Sequence, residues 1–241
     1  MDKPFIGVLL AGGMGMRLRE AVDNQIKSLV EIQGKPLTYY AINFLREAGA
    51  KEIIVLGAHD FENFKQKVLS FNPGVKVVEG DKRGSLYSLL AAWEHIDDSF
   101  LLCNADHIYR KPIAEKIKNQ LEGLKAFCDF DRELGDDDMK VIHENGKLLK
   151  ISKKLEDFNA GYVGLTYCDI EHKDTYKAAM DKVASENNGL VVEDILRRVM
   201  EETGLVQIGD ISGHGWLEVD FPHELEKAKK DIGENPDKYF V

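Results

Sequence analysis

Short apolar runs of β-type composition recur at residues 5–10, 53–56, 75–78, 100–103 and 125–130, and stretches of helical period fill most of the intervals between them. This alternation predicts an α/β chain: a mixed, mostly parallel sheet with helices on both faces. The first helix is expected after Pro36, because Leu37, Tyr40, Ala41, Phe44, Leu45 and Ala48 recur at helical spacing and Gly49 ends the run. A second is expected over 85–95, and Pro112 in a first-turn position opens a third that runs to about Gly123.

From Asp131 onward the period changes. The stretch MKVIHENGKLLKISKK alternates by twos around Glu144-Asn145-Gly146, with Asn-Gly at the turn, and predicts a β-hairpin inserted as a flap or extension of the α/β core. A strand over 161–167, helices near 174–184 and 191–202, a strand ending at Val219 and a closing helix from Pro222 complete the pattern. No Ser-, Gly- or Pro-rich linker, internal repeat or low-complexity tract interrupts it, so a single domain over 1–241 is expected.

Composition narrows the function. The chain is 44% hydrophobic and 31% charged with only six prolines, which is the make-up of a folded globular protein. Its formal charge of −10 repels nucleic acid and anionic lipid, so a phosphate substrate has to be held by a few focused cations and backbone amides. The longest uncharged apolar run, 5–16, contains four glycines and is too short to span a bilayer. The N-terminus shows no basic region followed by a cleavage site, so no membrane insertion and a cytoplasmic location are expected. Cys103, Cys128 and Cys168 are widely spaced among hydrophobic residues and read as buried thiols rather than as a disulfide or zinc framework.

The loop after the first strand, Leu10-Ala11-Gly12-Gly13-Met14-Gly15-Met16-Arg17-Leu18, sets three glycines where backbone amides can approach a phosphate. It matches neither a Walker A loop nor a GxGxxG dinucleotide fingerprint, and alone it is as often a plain tight turn. Arg17 and Lys27 follow it and are candidates to clamp a triphosphate; an isolated lysine is usually a solvated charge, so the case rests on both together with the loop. Asn104-Ala105-Asp106 ends another strand, and Asp220 follows WLEV at the end of a third. Ligands bind at such strand tips in open α/β sheets, although a strand-end aspartate is as often a turn or cap residue. Two such carboxylates suit one Mg²⁺ shared with substrate phosphates and water. The seven histidines show no metal-ligand spacing and there is no Gly-x-Ser-x-Gly elbow, so hydrolase chemistry gains no support.

Together LAGGMGMRLR, KSLVEIQGKPL, CNADHIY and WLEVDFPHELEKAK, in order and spacing, resemble the sugar-phosphate nucleotidylyltransferases over nearly the whole chain. Ile26 departs from the proline that commonly precedes the family's lysine. The resemblance implies a three-layer Rossmann-like nucleotidyltransferase fold, with a nucleotide-binding part at 1–130 and an acceptor-binding part at 131–241. It implies a Mg²⁺ cofactor on Asp106 and Asp220, a catalytic set of Arg17, Lys27 and Asp106, and in-line attack of an acceptor phosphate on the nucleotide α-phosphorus. The nucleotide would be held by Leu10, Ala11, Gly12, Gly13, Gly15, Arg17, Lys27, Gly80, Gly84, Ser85 and Asn104.

The segment GSLYSL, where many relatives have Gln and Gly-Thr-Ala, resembles the cytidylyltransferase branch, while ADHIY, the hairpin and WLEVD look closest to CTP:inositol-1-phosphate cytidylyltransferases. The implied reaction joins CTP and 1L-myo-inositol 1-phosphate into CDP-inositol and pyrophosphate. Lys153, Lys154, Asn159, Gly161, Glu193 and Asp194 are the candidates for the acceptor; a solvated Lys-Lys pair and a helix-start acidic pair are the plain alternatives. In that branch the enzyme often carries a membrane synthase domain, so here the product is expected to pass to a separate membrane synthase. A homodimer stays open. So do phosphocholine or another sugar 1-phosphate as acceptor, with UTP, GTP or dTTP as the broader fallback, and a non-catalytic nucleotide-binding regulatory protein, against which the complete set Arg17, Lys27, Asp106 and Asp220 argues.

Overall fold

The buried run at the N-terminus forms strand β1 (Phe5–Leu10), from which Ile6, Val8 and Leu10 point to one side of the main sheet and Phe5 and Leu9 to the other. The computed structural model describes residues 4–186 and 191–240. After β1 come the short β2 (Glu31–Ile32) and β3 (Lys35–Pro36), α1 (Leu37–Glu47), β4 (Ala50–Gly57), α2 (Phe61–Phe71), β5 (Lys76–Glu79) and α3 (Ser85–Ala91). Next are β6 (Phe100–Asn104), β7 (His107–Tyr109), α4 (Lys111–Lys118), β8 (Leu124–Asp129), β9 (Lys140–Glu144), β10 (Lys147–Ser152) and β11 (Ala160–Cys168). The chain closes with α5 (Lys173–Glu186), α6 (Glu193–Thr203), β12 (Gln207–Asp210), β13 (Trp216–Glu218) and α7 (Pro222–Glu234).

The main sheet has nine strands in the order β5-β4-β1-β6-β11-β8-β12-β10-β9. Its pairings leave β10 and β11 running against the other seven, so the sheet is mixed but mostly parallel in direction. Helices cover both faces as the alternation predicts: Ala41, Phe44 and Leu45 of α1 and Ile113 and Ile117 of α4 pack on one, and Leu86 and Leu89 of α3, Tyr176 of α5 and Ile195 of α6 on the other. The mixed, mostly parallel α/β sheet with helices on both faces expected from the sequence is the architecture observed.

The hairpin β9–β10 turns at Asn145 and Gly146, both with positive φ, as the Asn-Gly signal predicts. It is not a free flap. Ala160 and Gly161 of β11 pair with β9, and Lys147 of β10 pairs with Gln207 of β12. Strands β11, β8, β12, β10 and β9 therefore close a circuit around Val141, Leu148, Ile151, Ala160 and Tyr162. Hydrophobic burial under the hairpin, which polar alternation along one strand cannot reveal, is what draws it onto the sheet.

A third cluster, including Leu37, Ile108, Leu217, Val219, Leu225 and Ile232, lies under α7. Arg110 ties this layer to the body: its guanidinium donates to Tyr239 Oη at 3.0 Å, His214 O at 3.0 Å and Asp231 Oδ2 at 2.8 Å. Replacing it with methionine keeps the apolar stem but strands those acceptors. Arg110→Met is therefore expected to lower unfolding free energy by about 2 kcal/mol in urea denaturation, and a change near zero would make the network ornamental.

Candidate active site

The site forms where β1, β6 and β13 end. Ala105 N donates to Leu10 O and Ala11 N to Leu56 O, both within 3.0 Å, so the glycine loop leaves β1 between two neighbouring strand tips. Ser28 Oγ donates to Ala11 O at 2.9 Å and fixes the segment carrying Lys27 against that loop. Gly15 has φ +60°, and a Cβ there would stand 2.5 Å from Lys27 Cβ. Only glycine gives both this backbone conformation and this close passage over the lysine stem.

The two aspartates meet through a pairing too short to leave a sequence signal. In the antiparallel pair β7–β13, His107 lies opposite Glu218 and Trp216 opposite Tyr109; one step further, Val219 N donates to Asp106 O at 3.0 Å. Asp220 is thereby delivered beside Asp106. Its backbone N–H and that of Phe221 both donate to Glu224 Oε2, at 2.7 and 3.0 Å, which caps α7 and steadies the approach.

Lys27, 7% exposed, donates to Asp106 Oδ2 at 2.7 Å and is also in ion-pair contact with Asp220 Oδ1. Arg17 is more open, 3.6 Å from Asp220 and 3.2 Å from Asp137, with its guanidinium over the Phe221 ring. His107 Nδ1 lies 2.7 Å from Asp106 Oδ1. Burial would raise the Asp106 carboxyl, but the charges of Lys27 and His107 outweigh it and hold the group well below the usual carboxylate range. Burial likewise works to lower His107, and Asp106 prevails and raises it.

Both carboxylates thus converge on one positive group, and their oxygen donors are those a hard cation takes. Among the described residues no set of three or more His, Cys, Asp or Glu is arranged to hold a metal. Two carboxylates, completed by water and phosphate oxygens, fit Mg²⁺, which seldom has an all-protein cage.

Two cavities flank this pair. The first, about 300 Å³, is lined by the expected Leu10, Gly12, Gly13, Gly84, Ser85, Asn104 and Asp106, and by Ser88, Val191, Val192 and Glu193. The second, about 150 Å³, shares Asn104, Asp106 and Glu193 with it and adds His107, Lys153, Tyr162, Gly164, Trp216 and the carboxylates of Asp137, Asp138, Glu218 and Asp220. Burial raises the carboxyls of both Glu193 and Glu218.

Several residues expected near a ligand are occupied elsewhere. The Asn159 amide is paired with the His143 backbone, donating to its O at 2.8 Å and accepting from its N at 3.0 Å. Gly161 packs under Leu134, whose Cδ2 would lie 2.6 Å from an added Cβ. Asp194 accepts from Val191 N and pairs with Arg197, which reaches Ile151 O, so it braces the first turn of α6 and ties it to β10. Lys154 is exposed on the turn after β10, its N–H donated to Ser152 Oγ. Ala11 is buried within the loop's hydrogen bonds, and Gly80 packs on Ser88 with its N–H on Gly57 O at 2.7 Å.

Gly164, by contrast, was not singled out and belongs to the site. Its φ is +71°, and a Cβ would come within 2.9 Å of Asn104 Nδ2 and 3.1 Å of His107 Cε1. The available signal was a glycine inside a buried strand, which marks a bulge or a close approach.

Residues 7–133 match the model of the MobA-like NTP transferase domain family, a span that holds the glycine loop, Lys27 and Asp106. The chain is 29% identical over 231 residues to the bifunctional IPC transferase and DIPP synthase of Aquifex aeolicus, covering 92% of this chain and 50% of that protein. It thus spans about half the length of that relative. It is 24% identical to the choline-phosphate cytidylyltransferase of Streptococcus pneumoniae, covering 92% and 96% of the two chains. The inositol-1-phosphate CTP transferase of T. maritima superposes with a TM-score of 0.81 at 20% identity, covering 95% of this chain and 96% of that one. With more than half of the sequence inside the family model and the same fold in a full-length superposition, the chain belongs to the family of MobA-like NTP transferase domains.

Proposed function

We propose that the protein transfers the cytidylyl group of CTP to 1L-myo-inositol 1-phosphate, releasing pyrophosphate and giving CDP-inositol, with Mg²⁺ as cofactor. One observation carries the reading: Asp106 and Asp220, bridged by Lys27, stand where a cavity lined by the glycine loop meets a second one rich in carboxylates. The names of the A. aeolicus and T. maritima proteins support the choice of substrates.

The nucleotide belongs in the larger cavity, its phosphates against the amides of Gly12 and Gly13. An acceptor phosphate oxygen attacks the α-phosphorus in line as the bond to pyrophosphate breaks. No general base is needed, because a phosphate monoester is largely ionised at neutral pH. Lys27 and Arg17 neutralise charge that grows on the leaving pyrophosphate. Held by Asp106 and Asp220, Mg²⁺ would supply Lewis-acid neutralisation of the phosphate oxygens. In the smaller cavity Lys153 meets the acceptor phosphate, and the carboxylates accept hydrogen bonds from ring hydroxyls.

Phosphocholine is the second reading, favoured by the same carboxylates beside Trp216. A quaternary ammonium needs an open aromatic face, however. Tyr162 is buried with its hydroxyl on Thr166, and Trp216 is packed between His107 and Arg132. The polyol reading needs no such face.

Pyrophosphate release should be assayed with CTP, UTP, GTP, ATP and dTTP against inositol 1-phosphate, phosphocholine and hexose 1-phosphates. Turnover confined to CTP with inositol 1-phosphate is the expected result. Another productive pair would overturn the substrate assignment, and no turnover with any pair would favour a regulatory nucleotide-binding protein. Lys153→Ala should raise the acceptor KM about tenfold or more at unchanged CTP KM. Asn159→Ala should leave both within about twofold, since its amide serves the hairpin.

A further inference from the structure

We propose that Arg132 selects the acceptor by filling, with its own guanidinium, the cation site that a quaternary ammonium would need. The proposal deepens the reading above and rests on it for the identity of the acceptor cavity. Trp216, on β13, is held in that cavity by an indole N–H donated to Asp129 Oδ2 at 3.1 Å. His107 is stacked on the indole at 4.9 Å between centroids and 22° between planes. The Arg132 guanidinium carbon lies 3.8 Å from the ring centroid. Two planar groups at these distances cannot share one face without overlapping, so both faces of Trp216 are covered.

The covering group on the Arg132 side is itself a cation in a cation's environment. Asp138 Oδ1 lies 3.9 Å from its Nη2, and only 24% of the Arg132 side chain is exposed. An aromatic face with a carboxylate beside it is the arrangement that recognises trimethylammonium groups. A tethered guanidinium competes there at an effective concentration of about millimolar order. An acceptor bearing a quaternary ammonium must displace it; a phosphorylated polyol, which uses the carboxylates and Lys153, need not.

The test reads binding rather than turnover, so it stands apart from the identity of the reaction. The chain has two tryptophans, Trp93 and Trp216, and Trp93→Phe leaves Trp216 as the reporter. Choline is titrated into W93F, W93F/R132A and W93F/R132Q, each checked for an unchanged circular dichroism spectrum, with the neutral isostere 3,3-dimethylbutanol in parallel. Saturable quenching of Trp216 by choline is expected in both Arg132 variants, at an affinity at least about tenfold above that of W93F, with no such gain for the isostere. The Gln variant keeps a polar side chain of similar reach, so agreement between the two assigns the effect to the charge. Equal choline affinity with and without Arg132, absence of binding in all three proteins, or equal binding of the isostere would each overturn the proposal.

Discussion

Asp106→Asn is expected to cut kcat by about 10³-fold and to cost some stability at neutral pH, where the depressed carboxyl favours the folded state. The carboxylate sits at the junction of both cavities, accepts from Lys27 and His107, and is held ionised by their charges despite its burial. Asparagine preserves the shape and one acceptor oxygen but removes the negative charge that fits the residue to a divalent cation. Lys27 keeps Asp220 as a partner, so no buried charge is stranded; the urea midpoint should fall at neutral pH by less than in Lys27→Met and approach the wild-type value on acidification. Pyrophosphate release and urea unfolding on one preparation check both halves. A loss below about tenfold with intact folding would place Asp106 outside the chemistry.

Lys27→Met should be costly twice, once in turnover by about 10²-fold or more and once in stability by about 2–3 kcal/mol at neutral pH. Without the ammonium, Asp106 and Asp220 face each other as two carboxylates; each is still about a quarter exposed, so the cost stays below that of a fully buried broken pair. The pH dependence gives the mechanism away. In the wild type the Asp106 carboxyl is depressed, so its contribution is present above the ordinary aspartate value and is lost as pH falls toward the folded value. In the variant only His107 still opposes burial and the facing carboxylate, so the carboxyl lies higher than in the wild type and proton uptake relieves the repulsion as pH falls. The stability gap should therefore be widest near neutrality and narrow on acidification. A gap that holds constant with pH would mean that lost packing of the lysine stem, not charge, is the cause.

Where the sequence was legible and where it was not follows from what each signal depends on. The glycine loop, Asp106 and Asp220 were visible as residue types at strand ends, whereas Lys27, which opens a short helical turn, stood out only together with Arg17, the loop and the family resemblance. That the two aspartates share one site was expected; how they are brought together was not legible, since it depends on β7 and β13, each too short to show a period. The same limit divides neighbours. Glu193 and Asp194 share the first turn of α6, but consecutive helical residues point about 100° apart, and the first faces the cavities while the second turns to Arg197. Lys153 faces the smaller cavity and Lys154 does not, and Gly161 stays in register with Asp129 whereas Gly164 falls inside the irregular stretch of β11 that shifts the register. Residue type locates such a pair; only the backbone says which member is used.

The strand circuit β11-β8-β12-β10-β9 has a consequence for how the molecule opens. Each of its strands has neighbours on both sides, whereas β5 pairs with β4 alone at the far border of the sheet. Amide protons inside such a circuit can reach solvent only if the loop is broken somewhere, and its members are drawn from segments as distant as β8 and β12. Slow, correlated hydrogen exchange is thus built into that end of the main sheet, with β5 the first strand of the sheet to give up its protons.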